Sequence, residues 1–143
     1  SLMFAAMKLG MHLTIASPPD YSFSEQDLAE GRKLATAGAT VEVFDDPLTA
    51  VVDADVIYTD VWTSMGQEKE TAQRLKVFPP FQVNQALVNM AKPDCIVMHC
   101  LPAHRGEEIT DEVADGPHSV IFQQAENRLH AQKAILVNLM ANS

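Results

Sequence analysis

Apolar positions along the chain change period several times, and each change predicts a different element. Residues 1–9 (SLMFAAMKL) are apolar nearly all round, as in a buried helix, and Gly10 suits its C-terminal stop. Residues 12–16 (HLTIA) predict a short strand ended by Ser17, Pro18 and Pro19, after which Ser24 stands as the N-cap of a helix to about Ala37. Residues 41–44 predict a second strand. Asp46 and Pro47 open a short helix with apolar Leu48, Val51 and Val52, and residues 56–59 (VIYT) read as a continuous buried strand ending at Asp60. Helices are expected over 67–76 and 84–91, on either side of the Pro79-Pro80 break. A strand over 95–100 (CIVMHC), a short helix over 107–113 and a last strand over 119–122 follow. From about Ala125 to Met140, apolar Leu129, Ala131, Ile135, Leu136 and Leu139 recur at helical spacing, so a long amphipathic helix is expected.

Strands that alternate with helices, most of them apolar throughout, predict an α/β fold: a doubly wound, mostly parallel, Rossmann-like sheet with helices on both faces. In such sheets ligands sit outside the C-terminal ends of the strands, which directs attention to the polar residues after Thr59, Met98 and Phe122. With 143 residues and 47% hydrophobic side chains, the chain suffices for one compact domain, expected to span 1–143. No internal repeat or low-complexity segment interrupts it.

A formal charge of −9, with 10 basic against 19 acidic residues and the cations scattered, disfavours nucleic acid as a partner. No apolar run reaches the roughly 20 residues of a membrane span, and no basic segment precedes the first apolar stretch as in a secretory signal. Cys95 and Cys100, five apart in one expected strand, would point to opposite faces, so no disulfide is expected between them. A soluble protein of a reducing compartment, the cytoplasm, is the expectation.

Three strand ends carry the candidate chemistry. After the strand at 56–59, Asp60 can accept from an ammonium group, Ser64 can bond it too, and amides near a helix start favour a carboxylate. A helix cap accounts equally well for Asp60 or Ser64. After the strand at 95–100, positive charge on His99, His104 or Arg105 can lower the pKa of Cys100 and hold part of it as thiolate. An inert, buried cysteine is the alternative. A metal bound by His99, Cys100 and His104 is a weaker reading, because structural zinc takes four ligands and no second ligand pair stands out. In the third segment, Glu126-Asn127-Arg128, the arginine offers a planar fork to a carbonyl or phosphate oxygen, with a surface ion pair as the plain alternative.

Together DVWTSMG at 60–66, HCLPAHRGEEIT at 99–110 and AENR at 125–128 resemble the ornithine carbamoyltransferase family in order and approximate spacing, over essentially the whole chain. The cysteine of HCLP and the DVW-S-MG pattern set that resemblance apart from aspartate carbamoyltransferases, and put putrescine and acetylornithine relatives behind it. The resemblance implies that Asp60, Ser64 and Met65 hold L-ornithine, that Cys100 and the Leu101 carbonyl lie near its reactive end, and that Arg128 touches carbamoyl phosphate. Asp60, Cys100 and Arg128 are thereby the catalytic candidates, with no metal and no organic cofactor. Citrulline is the implied product, within arginine biosynthesis or ornithine metabolism, in a homo-oligomer built on trimers.

The family precedes this region with a further strand, an Asn-bearing segment that helps bind ornithine, and a domain that carries a phosphate loop and a histidine that polarises the carbamoyl group. The expectation is a sheet without its first strand, a gap between the strands at 12–16 and 56–59, and no carbamoyltransferase activity from these 143 residues alone. Competing readings are a carbamoyltransferase for another amino acid or amine, and a non-catalytic amino-acid-binding module. A nucleotide-binding Rossmann domain is disfavoured because no G-x-G-x-x-G occurs.

Overall fold

A computed structural model describes residues 1–63 and 70–141. The chain divides into two compact units, residues 1–52 and 53–143. The strands are parallel and alternate with helices, so the α/β class holds.

In the first unit, helix α1 (Leu2–Lys8) is followed by strand β1 (Leu13–Ala16), helix α2 (Glu25–Lys33), strand β2 (Val41–Phe44) and helix α3 (Pro47–Ala50). β1 and β2 pair in parallel, Leu13 opposite Val41 and Ala16 opposite Phe44. Met3, Ala6 and Met7 from α1 pack with Leu28 and Val41 to form this unit's core. Gly10 has φ 75°, a left-handed value at little cost to glycine, and ends α1 as expected. Ser24 caps α2 by accepting from the Asp27 amide at 3.1 Å.

α2 stops at Lys33, short of the expected Ala37. The chain leaves the helix because the end of α1 offers carbonyls that need partners. Thr36 donates its amide to the Met7 carbonyl at 3.0 Å and its hydroxyl to the Lys8 carbonyl at 2.8 Å. Ala37 and Gly38 then turn through positive φ into β2.

The second unit contains strand β3 (Val56–Thr59), helices α4 (Thr71–Val77) and α5 (Gln85–Val88), strand β4 (Ile96–His99), and helices α6 (Asp111–Ala114) and α7 (Ile121–Met140). β3 and β4 pair in parallel with Thr59 opposite His99, so both strands end at the same level. Val97, Ile109, Val113 and Ile121 are fully or almost fully buried around them.

Three expectations change here, and a fourth falls partly outside the described residues. β3 is not buried throughout: Val56 and Tyr58 are 48% and 40% exposed while Ile57 faces the core, because only one face of the strand is covered by described residues. The expected strand at 119–122 reduces to one parallel bridge between Ser119 and Val97, since Ile121 already begins α7. The helix expected over 107–113 starts only at Asp111, where the Thr110 side chain caps it, and Glu108 lies in the turn before it. α4 is described from Thr71, and the expected helix start at Gln67 lies outside the described residues.

Gly116 follows α6 in a tight turn, where an added Cβ would lie 2.6 Å from the Glu112 carbonyl oxygen. Gly116→Ala is expected to destabilise the second unit by about 1–3 kcal/mol, the usual cost of overpacking. A urea titration in which the variant matches the parent would remove that steric reading.

Candidate functional site

The in-register ends of β3 and β4 place Asp60 and Cys100 side by side. Cys100 Sγ donates to Asp60 Oδ1 at 3.0 Å, and the same oxygen accepts the Val61 amide at 2.7 Å. Tyr58 lies two residues before Asp60 in β3 and exchanges hydrogen bonds with Cys100 and Gln124. Gln124, from the first turn of α7, also accepts the His99 amide at 2.9 Å. A thiol, a carboxylate and a phenol from two strands thus meet beside the start of one helix.

A cleft of about 750 Å³ opens next to them, lined among others by Cys100, Leu101, Ile121, Phe122 and Arg128. Arg128 has no hydrogen-bond or ion-pair partner among the described residues. Its position two turns into α7, rather than just after a strand, aims it at the same cleft as Cys100. The sequence-predicted residues Asp60, Cys100 and Arg128 are therefore brought to one region, Asp60 through its bond to the thiol. Leu101 lines the cleft too, whereas Ser64 and Met65 lie outside the described residues.

The expected direction of the Cys100 shift is reversed. Burial, and then the hydrogen bond and negative charge of Asp60, push the Cys100 thiol above its ordinary pKa. The cations expected to lower it are engaged elsewhere. His99 uses both ring nitrogens, His104 Nδ1 stands 3.6 Å from Glu107, and Arg105 pairs with Asp111 at 2.9 Å and Asp115 at 2.6 Å. Arg105 is held far above its ordinary pKa by Asp115 and then Asp111, and Asp115 is lowered in return. Cys100 donates to Asp60, and both it and the buried Cys95 are free cysteines, so the two form no disulfide.

The sign of the Cys100 shift sets a measurable outcome. Iodoacetamide should modify Cys100 with a pH profile displaced above that of a free thiol, and Asp60→Asn should move the profile to lower pH by removing the negative charge. An unmoved profile would mean that Asp60 does not govern the thiol.

Glu108, which sequence reasoning missed, and His99, read there only as a cation beside Cys100 or a metal ligand, complete the turn. His99 and Glu108 are fully buried, with His99 Nε2 2.9 Å from Glu108 Oε1. The Leu101 amide donates to His99 Nδ1 at 2.9 Å, which leaves the ring proton on Nε2, facing the carboxylate. Glu108 Oε1 also accepts the His104 amide at 2.6 Å, while Oε2 is buried without a partner among the described residues, at a typical cost of about 1–3 kcal/mol. His104, Glu107 and Glu108 bring one ligand atom each within 4.8 Å of one another, but three ligands, one buried and already bonded, fall short of a structural zinc site.

The family model described as "Aspartate/ornithine carbamoyltransferase, Asp/Orn binding domain" matches residues 1–139. The chain belongs to this family. An ornithine carbamoyltransferase of Anoxybacillus flavithermus is 58% identical over 141 residues, 98% of this chain and 45% of that enzyme. Among solved structures, ornithine carbamoyltransferase from Pyrococcus furiosus superposes with a TM-score of 0.89 at 56% identity, over 96% of this chain and 44% of that one. The anabolic enzyme of Campylobacter jejuni reaches a TM-score of 0.93 at 36% identity, over 100% of this chain and 48% of that one. The chain spans about 45% of the length of the curated relatives it matches. The Rossmann-like α/β fold and the resemblance read from the three motifs agree with these carbamoyltransferase relatives.

Proposed function

We propose that this chain is the ornithine-binding part of an ornithine carbamoyltransferase, which transfers the carbamoyl group of carbamoyl phosphate to the δ-amine of L-ornithine. The observation that carries the reading is the Cys100–Asp60 hydrogen bond at the paired strand ends, beside the cleft that Arg128 also lines. Its support from relatives is the identity of 58% to an enzyme named ornithine carbamoyltransferase.

On this reading Asp60 accepts from an ornithine ammonium group, with Ser64 and the Met65 backbone near the α-substituents. The Cys100 thiol and the Leu101 carbonyl orient the δ-amine. The neutral amine attacks the carbamoyl carbon, a C–N bond forms, the C–O bond to phosphate breaks through a tetrahedral intermediate, and the amine proton leaves with phosphate. Arg128 contributes positive charge to the phosphate or the developing oxyanion, so catalysis is mainly orientation and electrostatic stabilisation. Because Cys100 donates to Asp60, its role on this reading is to position the amine. The remaining carbamoyl-phosphate ligands would come from a second domain, in a trimer-based cytoplasmic enzyme, and these 143 residues alone would make no citrulline.

Kinetics on an enzyme that joins this domain to a carbamoyl-phosphate domain test the reading. Cys100→Ala should raise KM for ornithine by about three- to tenfold, the loss of one neutral hydrogen bond, with a smaller change for carbamoyl phosphate. Equal losses for both substrates would place the thiol elsewhere, and citrulline made by the 143-residue chain alone would overturn the division of labour.

A further inference from the structure

The geometry points to the buried His99–Glu108 pair as a positioning device that locks the turn at Leu101 and so sets the Cys100 thiol against Asp60. Cys100 and Leu101 sit between the end of β4 and the loop to Glu108, so nothing in a strand or helix fixes their backbone. Leu101 has φ 56°, a left-handed conformation that a leucine rarely adopts unless its surroundings impose it. Two bonds in series impose it: the Leu101 amide is held by His99 Nδ1, and the His99 ring is held by Glu108. Glu108 also grips the far side of the loop through the His104 amide.

One carboxylate oxygen therefore fixes both ends of the segment that carries the thiol and the Leu101 carbonyl. The arrangement costs stability, because a buried carboxylate leaves Oε2 unpartnered among the described residues where apolar packing would avoid the penalty. A pair serving only to fill the core would not need that carboxylate. Neither side chain is among the residues lining the cleft, so both act through Cys100 and Leu101 and are positioning residues. This inference rests on Cys100 and Leu101 belonging to the substrate site proposed above.

Alkylation by iodoacetamide, resolved for each cysteine by peptide mass spectrometry, tests the device on the chain itself. Cys95 is 1% exposed and reports loss of the whole fold, while Cys100 is partly exposed and reports the turn. His99→Asn keeps an acceptor near the Nδ1 position, whereas His99→Gln keeps a donor near Nε2 and gives up the Leu101 amide. Expected at neutral pH is a roughly tenfold faster reaction of Cys100 in His99→Gln and Glu108→Ala, a smaller change in His99→Asn and Glu108→Gln, and continued protection of Cys95. Glu108→Gln retains the oxygen that accepts from His99 and His104, so it serves as the conservative rescue.

Equal Cys100 rates in His99→Asn and His99→Gln would overturn the proposal, as would Cys95 becoming reactive in step with Cys100. Because those two substitutions have similar size and polarity, the comparison survives a general loss of stability. L-ornithine added to the unsubstituted chain is a separate arm. If it fails to slow Cys100 alkylation, the ornithine reading loses its support while the positioning comparison stands.

Discussion

Replacing Asp60 with alanine is expected to weaken ornithine binding by roughly ten- to a hundredfold, the equivalent of about 1.5–3 kcal/mol for a hydrogen bond to a charged group. The side chain is exposed at a strand end, and its hydrogen-bond partners among the described residues are the adjacent Val61 amide and the Cys100 thiol, so the fold should not depend on it. On the proposed reading, losing it leaves the ornithine ammonium without its anion, and it also releases the thiol from its acceptor. The effect should therefore exceed that of Cys100→Ala, which removes only a neutral donor. Isothermal titration with ornithine, beside a thermal melt, separates the two substitutions. A melt that falls with the affinity would reassign Asp60 to structure, and an unchanged affinity would end its role in binding.

The second large effect is expected from Ile109→Ala, at about 2–5 kcal/mol of stability, the range for large-to-small changes in a packed core. Ile109 is fully buried, and its backbone stitches the loop around the site: Gly106 donates to its carbonyl at 2.8 Å, and the flanking Glu108 and Thr110 exchange bonds with Val83. Trp62, the lone tryptophan, is buried in the same unit, so its fluorescence during urea unfolding reports the loss directly. A loss under about 1 kcal/mol would show that the site relaxes far more readily than its burial implies.

What can be read from the sequence depends on how local the controlling interaction is. β2, β3 and the start of α3 follow from short apolar runs and from the Asp46-Pro47 pair, and their bounds agree with expectation. Asp46 caps α3 by accepting from Leu48 and Thr49, a device confined to four neighbouring residues. The end of α2 is not legible, because it is decided by Thr36 reaching carbonyls 28 and 29 residues away. The run at 119–122 has strand-like composition, yet Ser119 alone bridges Val97, and the helix begins at Ile121.

The site divides in the same way. Asp60, Cys100 and Arg128 are visible as polar residues in three short motifs, and two of them sit at strand ends that bring them together. The expected downward shift at Cys100 fails because proximity in sequence is not proximity of charge: Arg105 and the two histidines spend their donors elsewhere. Tyr58 does carry a legible signal, since the two-residue period puts it on the same strand face as Asp60. It lies inside β3, however, and ligand residues are expected beyond the strand end. Glu108 carries no local signal, because its meaning lies in bonds to His99 and to the His104 amide.

The parallel register that sets Thr59 opposite His99 makes the site unusually sensitive to chain length on one side and tolerant on the other. Deleting a single residue within 56–59 or 96–99 would turn the following carboxylate or thiol to the opposite face, because side chains alternate at every step. The connection between the two strands, by contrast, can lengthen or shorten without changing which residues end them. Length variation among natural variants of this domain should therefore avoid the two four-residue strands, so that the spacing from strand start to Asp60 and Cys100 marks function more sharply than overall identity does.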